Sequence, residues 1–217
     1  MIGERWAQTG LIAGWHLNGD LNDFSGNSHT LTSSGSPSSS RGIFSDSYPL
    51  NGTSQYFTAS NSTFLPTGDF TYEAWFKTSS TGTQTIMICD NAGGGAGITI
   101  RLNSNTNLQG RIMNNGSTVG NVDITGLSSM SDGIKHYVVF KRSGSSMALW
   151  LDGKSIGTAT STGNPNFNST KNLYIGAYFS GSVDFFSGTL DEITVWNTAL
   201  SDDKIRKNWG WSRGRYK

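Results

Sequence analysis

Between Asn18 and Asn27 the chain reads Asn-Gly-Asp-Leu-Asn-Asp-Phe-Ser-Gly-Asn, hard oxygen donors set among glycines that let the backbone fold tightly. Calcium takes six to eight such oxygens, backbone carbonyls among them, and tolerates irregular geometry. The spacing is not that of an EF-hand loop, and an Asx-rich turn without an ion accounts for the same residues. On spacing alone both readings stand. Asp191-Glu192 is a second acidic element, and on a regular strand its two side chains point to opposite faces. Other chemistry finds no support. No G-x-S-x-G elbow is present, and Gly153-Lys154-Ser155 lacks the upstream glycine of a phosphate loop. His16, His29 and His136 show no zinc spacing and read as packed or surface residues. Cys89, the single cysteine, sits in the apolar run Ile86-Met87-Ile88-Cys89 and reads as a small buried hydrophobe.

The elements that must position these groups are strands. The chain has 217 residues, enough for one large all-β domain with a sizeable core. Gly, Ser, Thr and Asn crowd it, and glutamate occurs only at Glu4, Glu73 and Glu192. Its apolar content is largely aromatic and β-branched. Short apolar runs between turn clusters predict strands at Leu11–Leu17, Gln55–Ala59, Phe70–Thr78, Thr85–Cys89, Ile98–Leu102, Gln109–Met113, Lys135–Lys141, Met147–Asp152, Leu173–Gly176 and Gly188–Trp196. In Phe70–Lys77 the residues Phe70, Tyr72, Ala74 and Phe76 share one face. Trp75 on the other face implies that both faces of its sheet are partly covered. Asp152-Gly153 and Asn115-Gly116 are signals for tight hairpin turns. One helix start stands out: Ser201 as cap, Asp202 and Asp203 in the first turn, then about two turns with Ile205 and Trp209 on one side. A net charge of +1 gives no global field toward nucleic acid or an anionic membrane.

A series of short motifs gives the chain a relative. Gly10-Leu11-Ile12-Ala13-Gly14-Trp15-His16-Leu17 with Asp23-Phe24-Ser25-Gly26-Asn27 resembles the opening of laminin-G-like domains of the concanavalin A-like superfamily. Leu50–Phe57, Phe70–Lys77, Lys135–Val139, Leu149–Lys154, Leu173–Gly176, Phe186–Ile193 and Trp196–Ser201 resemble later family segments in the expected order. The resemblance covers roughly residues 10 to 208. It implies an all-β fold: a two-sheet antiparallel jelly-roll β-sandwich, with one short C-terminal helix. Residues 1–9 are then an N-terminal segment, 10–208 the domain and 209–217 a basic aromatic tail.

The resemblance also implies a structural Ca2+ held by Asp23 and Asp191 with the main-chain carbonyl of Asn27. Glycoside hydrolases of this superfamily carry a strand with E-x-D-x-x-E, which places alternate acids on one face to flank one bond; no such strand occurs here. The expected role is therefore non-catalytic recognition, with a glycan or polysaccharide as partner. The expected ligand-binding residues are Tyr178, Phe179, Asp184 and Phe185, in an aromatic loop whose rings exceed what a turn needs. Polar loops at residues 91–97 and 103–107 are expected to line the same rim. The alternative is a structural or protein-interaction module without sugar affinity. Six of the sixteen Lys and Arg residues fall between Lys204 and Lys217, a tail that suits docking to a protein partner more than nucleic acid. The first residues, Met1-Ile2-Gly3-Glu4-Arg5-Trp6, lack the apolar stretch of a secretory leader, so the expected setting is a virion surface or the cell exterior.

Overall fold

A computed structural model of the chain describes residues 9–41, 43–59, 66–91, 97–114, 117–165, 171–178 and 183–214. The first strands are β1 (Leu11–Trp15), β2 (Thr32–Ser34), β3 (Ser40–Arg41), β4 (Asp46–Ser47), β5 (Pro49–Asn51), β6 (Tyr56–Ala59), β7 (Phe70–Thr78) and β8 (Gln84–Asn91). After these come β9 (Gly97–Ser104), β10 (Asn107–Asn114), β11 (Ser117–Ile124), β12 (Lys135–Ser143), β13 (Ser146–Leu151), β14 (Lys154–Thr160), β15 (Lys171–Ile175) and β16 (Ser187–Trp196), and helix α1 (Asp202–Gly214) closes the order. All ten predicted strands are present, with ends shifted by at most two residues. The sequence reading omits β11, β14 and the short strands β2 to β5.

Two antiparallel sheets pack face to face. Sheet A runs β1-β16-β7-β12-β13-β14, with β5 also paired to β16, and sheet B runs β11-β10-β9-β8-β15-β6-β2. The period-two pattern of β7 explains the stacking. Phe70, Tyr72, Ala74 and Phe76 join Val138, Phe140 and Leu190 in the core, opposite Ile98, Ile100, Leu173 and Ile175 of sheet B. Cys89 is buried there, its Sγ 3.2 Å from the Tyr72 hydroxyl. Asp152 and Gly153 take positive φ of 50° and 75° and turn β13 into β14, as the dipeptide predicts. The Asn115-Gly116 turn lies outside the described residues, although Asn114 and Ser117 pair on either side of it.

The outer side of sheet A is roofed. Trp75, Tyr137, Val139, Trp150 and Trp196 form a second apolar cluster with Phe44, and with Ile205 and Trp209 from α1. The Ser201 hydroxyl accepts from the Lys204 N–H, so the predicted cap is in place. The helix continues past its expected end at Trp209 to Gly214, and the first part of the expected tail is therefore helical. Trp209 packs against the sheet-A cluster and anchors that turn. Among the described residues no helix is long and apolar enough to cross a membrane.

Candidate functional site

Sheet B has no such roof in the described structure. On its inner side it buries Phe57, Ile98, Ile100, Leu102, Leu108, Ile112, Val122, Leu173 and Ile175. Alternation therefore sends Tyr56, Thr99, Arg101, Gln109, Arg111, Asn121, Asp123, Asn172 and Tyr174 to the outer side. Strand register lines these up in rows. One row runs Asn121, Arg111, Thr99, Ile88, Tyr174 and Thr58 across five strand pairings. The next places Asp123 beside Gln109, then Arg101, then Thr85.

The second row is a hydrogen-bonded chain. The Gln109 amide donates to Asp123 Oδ2 at 3.2 Å, and its Oε1 accepts from Arg101 Nε at 3.0 Å. The Arg101 guanidinium lies 3.7 Å from Asp184 Oδ2 and 5.6 Å from the centre of the Tyr178 ring. In the first row Arg111 Nη2 donates to the Tyr178 hydroxyl at 2.5 Å. Aromatic rings border this polar floor: Tyr56 lies 6.1 Å from Tyr174 and 6.3 Å from Phe185, centre to centre. The Tyr174 hydroxyl accepts from the Asn172 amide at 3.0 Å. Planar polar groups flanked by half-buried rings can hydrogen-bond hydroxyls while stacking on C–H surfaces.

Three of the four expected ligand-binding residues reach this face, and Phe179 lies outside the described residues. So does the stretch 92–96 of the expected polar rim. Asp184 and Phe185 are half-buried at the border. Tyr178 is 4% exposed, so its ring is no open platform. It packs with Ile88 and Tyr174 and holds both arginines in place. The sequence reading missed Tyr56, Arg101, Gln109, Arg111, Asn172 and Tyr174. Arg101, Gln109 and Arg111 alternate with core residues along β9 and β10, a signal that was available in those strands. Phe186 is fully buried and belongs to the core.

The acidic motifs serve the backbone. Asp23 bridges to Trp15 along one edge of β1, while β16 pairs with the other edge through Ile193. Asp23 Oδ1 accepts from the Gly14 and Ser25 N–H groups at 2.9 and 2.8 Å. Its Oδ2 accepts from the Ser25 hydroxyl at 2.8 Å and the His29 N–H at 2.9 Å. Four donors fill the four acceptor sites of a carboxylate. The Asn27 amide folds back on the carbonyls of Leu11 and Ile12. Asp191 lies on β16 and accepts from the Phe44 N–H at 3.2 Å and the Glu192 N–H at 2.9 Å. Asp23 is therefore filled by protein donors, whereas each Asp191 oxygen accepts a single one of these N–H groups and the Asn27 main-chain carbonyl is not the group used in these contacts. Among the described residues no group of three or more His, Cys, Asp or Glu side chains is arranged to hold a metal.

The expected separation of Asp191 and Glu192 to opposite faces does not occur. The β16–β7 register slips between Asp191 and Thr194, and Glu192 takes a φ of 48°. This bulge breaks the alternation. Asp191 reaches Phe44, and Glu192 Oε2 reaches His16 Nδ1 at 3.1 Å. Burial, then the adjacent Glu192 charge, pushes Asp191 up to about 8.

A laminin G family model, described as the concanavalin A-like lectin/glucanases superfamily, matches residues 51–206. A search of curated proteins found no match. Domain 4 of AbnA, an extracellular GH43 arabinanase from Geobacillus stearothermophilus solved with arabinotriose, superposes with a TM-score of 0.75 at 17% identity. The match covers 92% of this chain and 98% of that one. A botulinum neurotoxin type C structure, described as requiring two ganglioside molecules for cell entry, gives 0.74 at 14% identity over 94% of this chain. The binding domain of botulinum neurotoxin DC, solved with SialylT, gives 0.71 at 14% identity over 94% of this chain. The chain spans only 51% and 52% of those two toxin chains.

Proposed function

Because the chain belongs to the laminin-G-like family of the concanavalin A-like lectin/glucanases superfamily, we propose that it recognises glycans without cleaving them, through the outer face of sheet B. The observation that carries this is the pairing of half-buried rings, Tyr56 and Phe185, with a floor of fixed polar groups from Arg101, Gln109 and Asn172. A pyranose or furanose ring stacks its C–H side on an aromatic face and aims its hydroxyls at planar donors and acceptors. The similar folds solved with arabinotriose and with SialylT support a sugar-binding use of this architecture.

Recognition without cleavage follows from where the acids lie. Hydrolysis needs two carboxyl groups flanking one bond. On this face Asp184 is engaged with Arg101 and Asp123 with Gln109. Glu73 and Glu192 are buried in sheet A. Affinity electrophoresis through gels carrying soluble polysaccharides tests the reading. Wild type is expected to be retarded by at least one polymer, with no reducing ends released on long incubation. Tyr56→Ala and Phe185→Ala are each expected to weaken retardation by about 2 kcal/mol, roughly thirtyfold. Retardation unchanged by both substitutions would move recognition off this face.

A further inference from the structure

Resting on the glycan reading above, we propose that the sugar recognised on this face carries a carboxylate, and that Arg111 binds it. The two arginines of the face are in different states. Arg101 has a carboxylate partner in Asp184 and a neutral one in Gln109. Arg111 is half-buried, and among the described residues its one side-chain hydrogen bond goes to the Tyr178 hydroxyl. Its Nε is buried without an acceptor, and among the described residues no carboxylate pairs with it. Asp184 and Asp123 are already committed to Arg101 and Gln109.

A half-buried guanidinium has lost part of its hydration, and without a counter-charge nothing returns that cost. A ligand carboxylate returns it with charge-assisted bonds, and the planar fork of arginine matches a carboxylate's two oxygens. The fork is also already held in place. The Tyr178 hydroxyl fixes one nitrogen, and Tyr178 is itself buried against Ile88 and Tyr174, so little side-chain freedom remains to be lost on binding. Beside Arg111 in the register stand Thr99, whose buried hydroxyl has no partner, and Asn121. Both are neutral polar neighbours. Uronic and sialic acids both present a carboxylate on a pyranose ring, and the test separates them.

Binding of wild type is measured to polygalacturonate, to α2,8-linked polysialic acid, and to each polymer after reduction of its carboxyl groups to alcohols. Neutral arabinan and galactan serve as further arms. At least one native acidic polymer is expected to bind about tenfold more tightly than its reduced form, with the preference shrinking as salt rises. Whichever acidic polymer shows the preference identifies the sugar type. Arg111→Gln is expected to abolish the preference while leaving residual affinity for the reduced polymer. The native-against-reduced comparison uses wild type alone and survives a variant that fails to fold. If reduced or neutral polymers bind as tightly as acidic ones, the carboxylate inference falls and the glycan reading stands. If none of the polymers binds, both fall.

Discussion

Asp191 and Glu192 lie side by side in the bulge of β16, both buried, with Asp191 lifted from 3.8 to about 8. Between those two values the folded protein keeps a proton that the unfolded chain releases, so stability falls as pH rises through that window. His136 adds to the trend. Burial pulls its pKa down, but the hydrogen bond and charge of Asp152, joined by Asp132, outweigh burial and raise it above 6.5. The clamp is direct: Nδ1 lies 2.8 Å from Asp152 and Nε2 lies 3.3 Å from Asp132. A histidine with a raised folded pKa contributes stability that is intact below 6.5 and lost as pH climbs past it. The melting temperature is therefore expected to fall between pH 5 and pH 9. Asp191→Asn should flatten the part below pH 8, and His136→Gln the part above pH 6.5. A melting series across pH checks this, and an unaltered slope in Asp191→Asn would contradict the assignment. At this scale the sequence displays residue types but not their neighbours. Asp23 reads as a turn former because its donors lie within fifteen residues. The burial of Tyr178 is hidden because Arg101 and Arg111 come from strands about seventy positions upstream.

Strands with clean alternation were legible because each has one face in the core, and the two longer ones that escaped notice follow a different rule. In β11 and β14, glycines replace the apolar positions that would have given a period. A Cβ on Gly120 would stand 2.6 Å from Met147 Sδ, and one on Gly157 would stand 2.1 Å from Ile124 Cδ1. Side-chain ends from neighbouring strands fill the space over these glycines, and a single strand's sequence carries no sign of that packing. Helix α1 shows the converse, since its cap and apolar side were readable but its main polar anchor was not. Buried Glu73 accepts from the Tyr137 hydroxyl, from Thr194 Oγ1 and Trp196 Nε1 at 2.7 Å each, and from Asn208 Nδ2 at 2.9 Å. Three of these donors rise from the sheet and the fourth descends from the helix. Asn208→Ala removes the helical donor from a buried carboxylate and is expected to cost about 1–3 kcal/mol. Glu73→Gln should cost more, because its NH2 group must face hydrogen-bond donors. Denaturant melts read both, and an Asn208→Ala midpoint equal to wild type would mean that α1 is held by Ile205 and Trp209 alone.

At the scale of the molecule, the two sheets differ in what lies outside them among the described residues, and that difference is why the outer face of sheet B is the one proposed for binding. Binary patterning signals through Trp75 that β7 is covered on both sides, and Glu73 and Trp75 are indeed as deeply buried as Ala74 between them. It does not show that no helix covers sheet B among the described residues, because its outer residues are ordinary polar and aromatic types. The opening segment is fixed by protein groups: Phe24 N–H to the Gly14 carbonyl, Leu31 N–H to that of Leu21, and the four bonds of Asp23. The closing segment joins it where the Asn197 N–H meets the Gly10 carbonyl. An ion bound only by the folded state at a hundred times its dissociation constant adds about 2.7 kcal/mol, which moves the midpoint of a domain this size by roughly 5–10 °C. With Asp23 already saturated by protein donors, melts in chelator and in millimolar calcium are expected to coincide within about 1 °C. Asp23→Ala should lower the midpoint equally in both buffers, because four hydrogen bonds are lost and no ion. A calcium-dependent rise that saturates and disappears in Asp23→Ala would overturn this and restore Asp23 as a ligand.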